Sequence, residues 1–518
     1  MRRLSYILLF SLTFFATGIL PQGVSKIITE SNIKTNLEVL ASDLFEGREA
    51  TTRGAKLAQL YIISQLKKAG VKPFFKNGSF LQSFKLNVEK TNEDSKLSFI
   101  KDSVSTDLKF MNDFFFGRGS NQDSLKPSYK LVFAGYGITA PEFGYDDYKN
   151  LDVKGKFVLI LDGEPVSQKD DYFNGKEKSK FSSRKSKIEN AKKHGAAGIL
   201  MQADKRVLAF WPRLMGFLKR PSYKLISKEK TDKQGFVFAY LNTASLKKIF
   251  ATQNIDFEKL MKKMKEGNKT EAEEFDGVLK VKYDRSKEVR QSANIVGVIE
   301  GNDPVLKNEY VAIGAHYDHV GVINGKVYNG ADDDGSGTVV IMEVAKTLAK
   351  TKANKRSVLI VFHTGEEKGL LGSRYLTDNL QLIKDKKIVA QINIDMVGRM
   401  ATDSIYSIGS DKLSSEMKKI VEDVNSKTTK FHLDYKFDDP NDPNRFYYRS
   451  DHYNYAKHGI PIVFFFDNMR KDYHRDTDEV DKINFKKLKK MSWLVYGIAL
   501  RIANLNHRLI VDKPIPKG

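Results

Sequence analysis

Five apolar runs, NIVGVIEG, YVAIGAH, VLIVFH, VAQINID and PIVFFF, fall between residues 294 and 466. They are rich in valine and isoleucine, and most lack the polar alternation of a strand wetted on one side. Each therefore reads as a strand buried on both faces. Helical repeats lie between several of them, at 338–349, 370–380, 414–425 and 485–503. Strands alternating with helices predict an α/β fold, a mixed, mostly parallel sheet with helices on both faces. In such sheets the functional side chains lie just past the carboxyl ends of the strands. His316, Glu366, Glu367 and Asp395 fall there.

Those residues are of the types that hold a divalent cation. His316 and Asp318 are two apart on an extended segment and share a face, so Asp318 can orient a metal-bound His316. An H-x-D pair alone is a weak signal. Asp332, Asp333 and Asp334 follow, bracketed by Gly330 and Gly335. Three consecutive carboxylates repel unless a cation or hydrogen-bond donors neutralise them. An exposed acidic turn is the alternative, and spacing cannot choose among the three.

Glu366 and Glu367 follow the run VLIVFHTG. Adjacent side chains point in different directions, so one can bind a metal while the other acts as a general base. A solvated helix start would also use acidic residues. Asp395 ends a buried run and needs a partner there. His474, beside Tyr473, lies in a loop and carries little information alone. Jointly, separate strand ends and loops present the donors that two zinc ions ~3.5–4 Å apart require.

The motifs GAHYDH, GADDDGSG, HTGEEKGLLGS, NIDMVGR, SDHYNYAKHGIP and YHRDTDEVDKI resemble, in order, those of the M28 family of zinc peptidases over about 290–505. LASDLFEGR and the 30–90 region resemble the family's N-terminal part, and 130–270 resembles the protease-associated (PA) domain inserted in its larger members. The resemblance implies two Zn2+ per chain. His316 and Asp395 would hold one, Glu367 and His474 the other, and Asp333 would bridge them. Glu366 would be the general base for a metal-activated water. Asp318 would steer His316, and Tyr473 would polarise the scissile carbonyl. Asp451 is a weaker pocket candidate, and His452 is read as structural or cleft-lining. His319, His363, His432 and His458 are read as packing or surface groups.

The resemblance implies an aminopeptidase acting on peptide substrates. A carboxypeptidase or dipeptidase of the same family would need a cationic pocket, for which Arg445 and Arg449 are available. A one-zinc glutaminyl cyclase and a non-catalytic binding protein on the same scaffold are further alternatives.

Arg2 and Arg3 precede an apolar run at 4–20, the pattern of a secretory signal peptide. An uncleaved anchor is the alternative. The expected division is 1–23 signal peptide, 24–128 N-terminal part of the peptidase domain, 129–275 inserted PA domain and 276–518 catalytic part. The product is expected to be exported, periplasmic or extracellular, without stable membrane insertion after cleavage.

The formal charge of +22 arises from 86 basic against 64 acidic residues among 518, mostly lysines spread along the chain. The densest patch, 177–193, has no interleaved aromatic ladder and reads as a solvated face, so nucleic acid is not an expected partner. The absence of cysteine excludes disulfides, thiolate zinc sites and a cysteine nucleophile.

Overall fold

A computed structural model describes residues 23–117, 120, 125, 127–165, 172–173, 175, 177–226, 236–265, 272–399 and 401–515. The expected signal peptide, apart from Gly23, lies outside the described residues. Among those described, no helix is long and apolar enough to cross a membrane.

The chain divides into two units, one of residues 1–86 with 290–518 and one of residues 87–289. The first is built on a mixed sheet. Strand Tyr310–His316 runs parallel to Ser357–His363 on one side and to Ile388–Ile394 on the other. Ile388–Ile394 continues parallel to Ile462–Phe466, while Arg285–Ile299 pairs antiparallel with Ser357–His363. The expected mostly parallel centre is present.

Both faces of this sheet are covered. Val311, Ile313 and Ala315 enter one core together with helices Glu30–Leu40, Arg53–Lys68, Gly337–Thr351 and Phe485–Ala503. Ala312, Leu359 and Val361 enter a second core with helices Leu371–Asn379 and His452–Ala456. Alternate residues of a strand point to opposite faces, so two apolar cores demand unbroken apolar strands. Fully burying one valine or leucine is worth roughly 1.5–3 kcal/mol, and each central strand buries several.

The second unit has an eight-stranded mixed sheet of its own. Its core includes Leu97, Phe99 and Leu108 together with Leu131, Phe133, Leu159 and Leu279. Strands Lys96–Lys101, Val104–Lys109 and Phe114–Phe116 therefore belong to this unit. The unit thus runs beyond the expected boundaries at 129 and 275, which placed 87–128 with the N-terminal part of the peptidase domain and 276–289 with the catalytic part. The division falls inside two strands, Leu81–Thr91 and Arg285–Ile299, so no linker composition marks it.

Candidate metal centre

The site is assembled at the carboxyl ends of the four parallel strands. His316 is the last residue of its strand, Glu366 and Glu367 follow Ser357–His363, and Asp395 follows Ile388–Ile394. The acidic triplet lies in an irregular turn, 331–336, that leads into helix Gly337–Thr351. His474 comes from the loop after Ile462–Phe466.

The structure separates the three aspartates. Asp332 Oδ1 accepts from the backbone N–H of Gly398 at 2.8 Å. Asp334 accepts from the N–H groups of Gly337, Met396 and His316 at 2.9, 3.1 and 3.3 Å. Asp333 is left facing the histidines. Its Oδ1 is 3.5 Å from His316 Nε2, and its Oδ2 is 3.2 Å from His474 Nε2. The two oxygens of one carboxylate thus face two different imidazoles.

Two donor clusters result. In the first, Asp395 Oδ1 lies 3.5 Å from His316 Nε2, while Asp395 Oδ2 accepts from Ser450 Oγ at 2.7 Å. In the second, Glu367 Oε2 lies 2.9 Å from His474 Nε2. His319 also belongs here, with Nδ1 2.9 Å from Glu367 Oε1 and 3.7 Å from Asp333 Oδ2. The packing role expected for His319 is therefore corrected. Residue type and spacing alone give a lone histidine beside Asp318 no partner, so its ligand geometry shows only in the folded chain. The signal available was its place one residue after Asp318, where the side chain turns back toward the strand ends.

Asp318 is placed where expected but acts differently. Its backbone carbonyl, not its carboxylate, contacts His316 Nδ1 at 3.0 Å, and the nearest carboxylate oxygen stands 3.8 Å away. Asp318 Oδ1 instead accepts from the N–H of Glu366 at 3.2 Å. Burial pushes the Asp318 carboxyl up to about 7.

Glu366 belongs to neither cluster. Its Oε2 is 3.9 Å from His316 Nε2, and it lines a pocket with Asp333, Asp395, His474, Phe446 and Tyr473. Burial raises the Glu366 pKa well above the carboxylate range, with His316 opposing and Asp395 adding to the rise. Burial acts in the same sense on Glu367, yet His474 and His319 hold that group well below its ordinary value. Neighbouring carboxyls pushed in opposite directions suit a proton acceptor and a ligand respectively.

Tyr473 stacks on His474 with ring centroids 3.8 Å apart. Burial, then Asp333 and Glu367, raise its pKa, so its hydroxyl stays a donor. Arg449 is the one arginine or lysine among the described lining residues, and its guanidinium lies over the Phe446 ring. Arg445 is not among them. Asp451 is fully buried and is not a lining residue. His452 is also buried, with a ring nitrogen 2.8 Å from the carbonyl of Tyr447.

Two charged groups outside the clusters hold the loops in place. Arg48, only 1% exposed, donates to the carbonyls of Tyr317 at 2.8 Å, Leu40 at 2.7 Å, Asn329 at 2.6 Å and Gly330 at 2.9 Å. One planar guanidinium thereby ties the His316 loop to the Asp333 loop. Asp478 accepts from the N–H groups of Asp332 and Asp333 and pairs with Arg399. Neither role shows in the spacing of the motifs.

The donors fit a pair of metal ions. His316 Nε2, Asp333 Oδ2, Glu367 Oε1 and both ring nitrogens of His319 are buried without a hydrogen-bond partner among the described residues. Leaving such atoms unpaired costs about 1–3 kcal/mol each, and here they converge in two groups, His316–Asp333–Asp395 and His319–Asp333–Glu367. Mixed imidazole and carboxylate donors suit zinc.

Residues 294–499 match the model of Peptidase family M28. A probable leucine aminopeptidase of Arthroderma otae is 30% identical over 213 residues, covering 39% of this chain and 57% of that protein. A probable leucine aminopeptidase 2 of Aspergillus oryzae is 32% identical over 186 residues, 34% of each chain. The matched segment thus spans between a third and three-fifths of these relatives. The aminopeptidase from Aneurinibacillus sp. strain AM-1 shares the fold at a TM-score of 0.57 and 19% identity, covering 95% of this chain and 98% of that one. A zinc aminopeptidase from Bacillus subtilis shares it at 0.50, with 91% and 94% covered. The segment at 294–499, whose strand ends carry both donor clusters, is thus a domain similar to peptidase family M28.

Proposed function

We propose that this chain is an exported, two-zinc aminopeptidase that removes N-terminal residues from peptides. One observation carries the reading. Asp333 presents its two oxygens to two donor clusters, and the uncommitted carboxylate of Glu366 stands at the same pocket. His316 and Asp395 would hold one zinc, Glu367 and His474 the other, and Asp333 would serve both. Bound zinc supplies Lewis acidity toward water and the scissile carbonyl.

The remaining steps belong to the protein. Glu366 takes a proton from the attacking water and delivers it to the departing amine as the C–N bond breaks. Its raised pKa suits both halves of that transfer. Tyr473 donates a hydrogen bond to the carbonyl oxygen. Met396, Phe446, Phe464, Phe466 and Met469 line the apolar part of the pocket and favour an apolar side chain. The fungal relatives, probable leucine aminopeptidases, agree with that preference.

Arg449 supports a second reading, in which the pocket accepts a substrate carboxylate and the enzyme acts on dipeptides or as a carboxypeptidase. Glutaminyl cyclase chemistry needs one zinc and leaves the second cluster without a role. A non-catalytic protein would have no use for Glu366. The unit at 87–289 is read as a protease-associated module, and the described residues hold no metal-donor group there. Export rests on the segment 1–23.

A library of free-amine peptides, assayed with and without chelator, tests the main reading. Chelator-sensitive release of apolar N-terminal residues, abolished by blocking the amine, is the expected result. Cleavage abolished by amidating the C-terminus instead would replace it with the second. Retention of the product in the cytoplasmic fraction would remove export.

A further inference from the structure

His319 is fully buried, and its ring stands edge-on to His474 with centroids 5.7 Å apart. Its Nδ1 and Glu367 Oε1 are 2.9 Å apart, within hydrogen-bond range, yet neither atom takes part in a hydrogen bond among the described residues. Two polar atoms that lie side by side at this distance are placed to share a third target. Donors on one tetrahedral zinc, each ~2.0–2.1 Å from it, lie about 3.3 Å from one another. The separations of His319 Nδ1 from Glu367 Oε1 and Asp333 Oδ2, 2.9 and 3.7 Å, bracket that value.

The same unpaired state marks His316 Nε2 and Asp333 Oδ2, donors that the dinuclear reading already uses. The backbone also makes room for the ring. A Cβ on Gly330 would lie 2.5 Å from His319 Cγ and 2.3 Å from the carbonyl oxygen of Asp333.

We propose that His319 Nδ1 is a further protein ligand of the second cation, beside Asp333, Glu367 and His474. This rests on the dinuclear reading and makes the two sites unequal. The first has one imidazole and two carboxylates. The second has two imidazoles and two carboxylates, and added nitrogen donors favour late first-row metals such as cobalt and zinc. The second site therefore fills first.

The experiment is a cobalt(II) titration of the metal-free full-length chain, followed by calorimetry and by visible absorption. Wild type is expected to take two equivalents in a tight step and a weaker one. In His319→Ala and His319→Asn the tight step weakens by more than the ~10–100-fold that loss of an outer hydrogen bond costs, and the spectrum of the first cobalt changes. At one equivalent, wild type shows two paramagnetically shifted imidazole N–H resonances, a readout that needs no variant. A single such resonance overturns the proposal. So does an unchanged spectrum in either folded variant, with dinuclear binding in wild type still standing. Fewer than two equivalents in wild type refute the dinuclear reading itself, and this inference with it.

Discussion

The carboxylate of Asp478 accepts the backbone N–H of Asp333 at 3.1 Å, so the last loop of the site sets the backbone of the residue that faces both donor clusters. Asp478 also accepts from Asp332 N–H and pairs with Arg399, which is itself nearly buried. Removing the carboxylate leaves two amides and a guanidinium without their acceptor. Asp478→Ala should lose about 3–5 kcal/mol of stability, the cost of breaking a buried charge pair. Urea unfolding of the metal-free protein measures it, and a loss below 1 kcal/mol would deny Asp478 this role.

Glu366 stands outside both clusters, 3.9 Å from His316 Nε2. Glu366→Gln keeps the shape and removes the proton acceptor. Turnover should fall by at least the ~10²–10⁴-fold typical of a general base, with zinc content unchanged. Parallel assays of kcat and metal content check it. Loss of zinc together with activity would reassign Glu366 as a ligand.

Arg48 satisfies four carbonyls on three segments. Arg48→Ala orphans them at about 1–3 kcal/mol for each buried group, so a loss above about 3 kcal/mol is expected. Arg48→Lys retains a charge but not the fork of donors, and should recover only part. Denaturant midpoints for the three proteins give the order wild type, Lys, Ala. The same order is expected for zinc affinity, because Arg48 spaces the loops of His316 and Asp333.

Chelation should destabilise the folded chain as well as silence it. Asp333, Glu366, Glu367 and Asp395 crowd one site, and without a dication they repel. Zinc at 100 times its dissociation constant adds about 2.7 kcal/mol. The melting temperature should fall on chelation and return with zinc but not with magnesium, which prefers oxygen ligands. An unchanged melting curve would show that the donors hold no metal.

His452 predicts an acid sensitivity. Burial pushes its pKa down from 6.5 to about 3, with the hydrogen bond to Tyr447 opposing. A depressed folded pKa means that the unfolded chain binds the extra proton. The contribution is therefore complete above pH 6.5 and is lost as pH falls toward 3, at up to ~1.4 kcal/mol per pH unit. His452→Gln, which can still donate to Tyr447, should show a shallower decline over that window. Denaturant unfolding at stepped pH compares the two proteins, and identical slopes would refute the assignment.

The sheet of the first unit was legible because both of its faces are buried. A strand such as Tyr310–His316 must be apolar throughout, and that makes it visible in the chain. The inserted unit was less legible at its edges. Its boundaries lie within continuous strands, where no glycine or proline cluster signals a change of unit.

Residue type and order alone put His316, Glu367 and Asp395 at the ends of buried strands, because the apolar strand pattern stops there, and the resemblance of the ordered motifs added His474. Three decisions belonged to the tertiary structure. Asp333 faces the imidazoles because backbone amides engage Asp332 and Asp334. His319 turns toward Glu367 across a glycine 11 residues further along the chain. Arg48, more than 260 residues before that loop is complete, clamps it from a distant segment. Each depends on which group occupies the space beside an atom, and linear spacing carries no record of that.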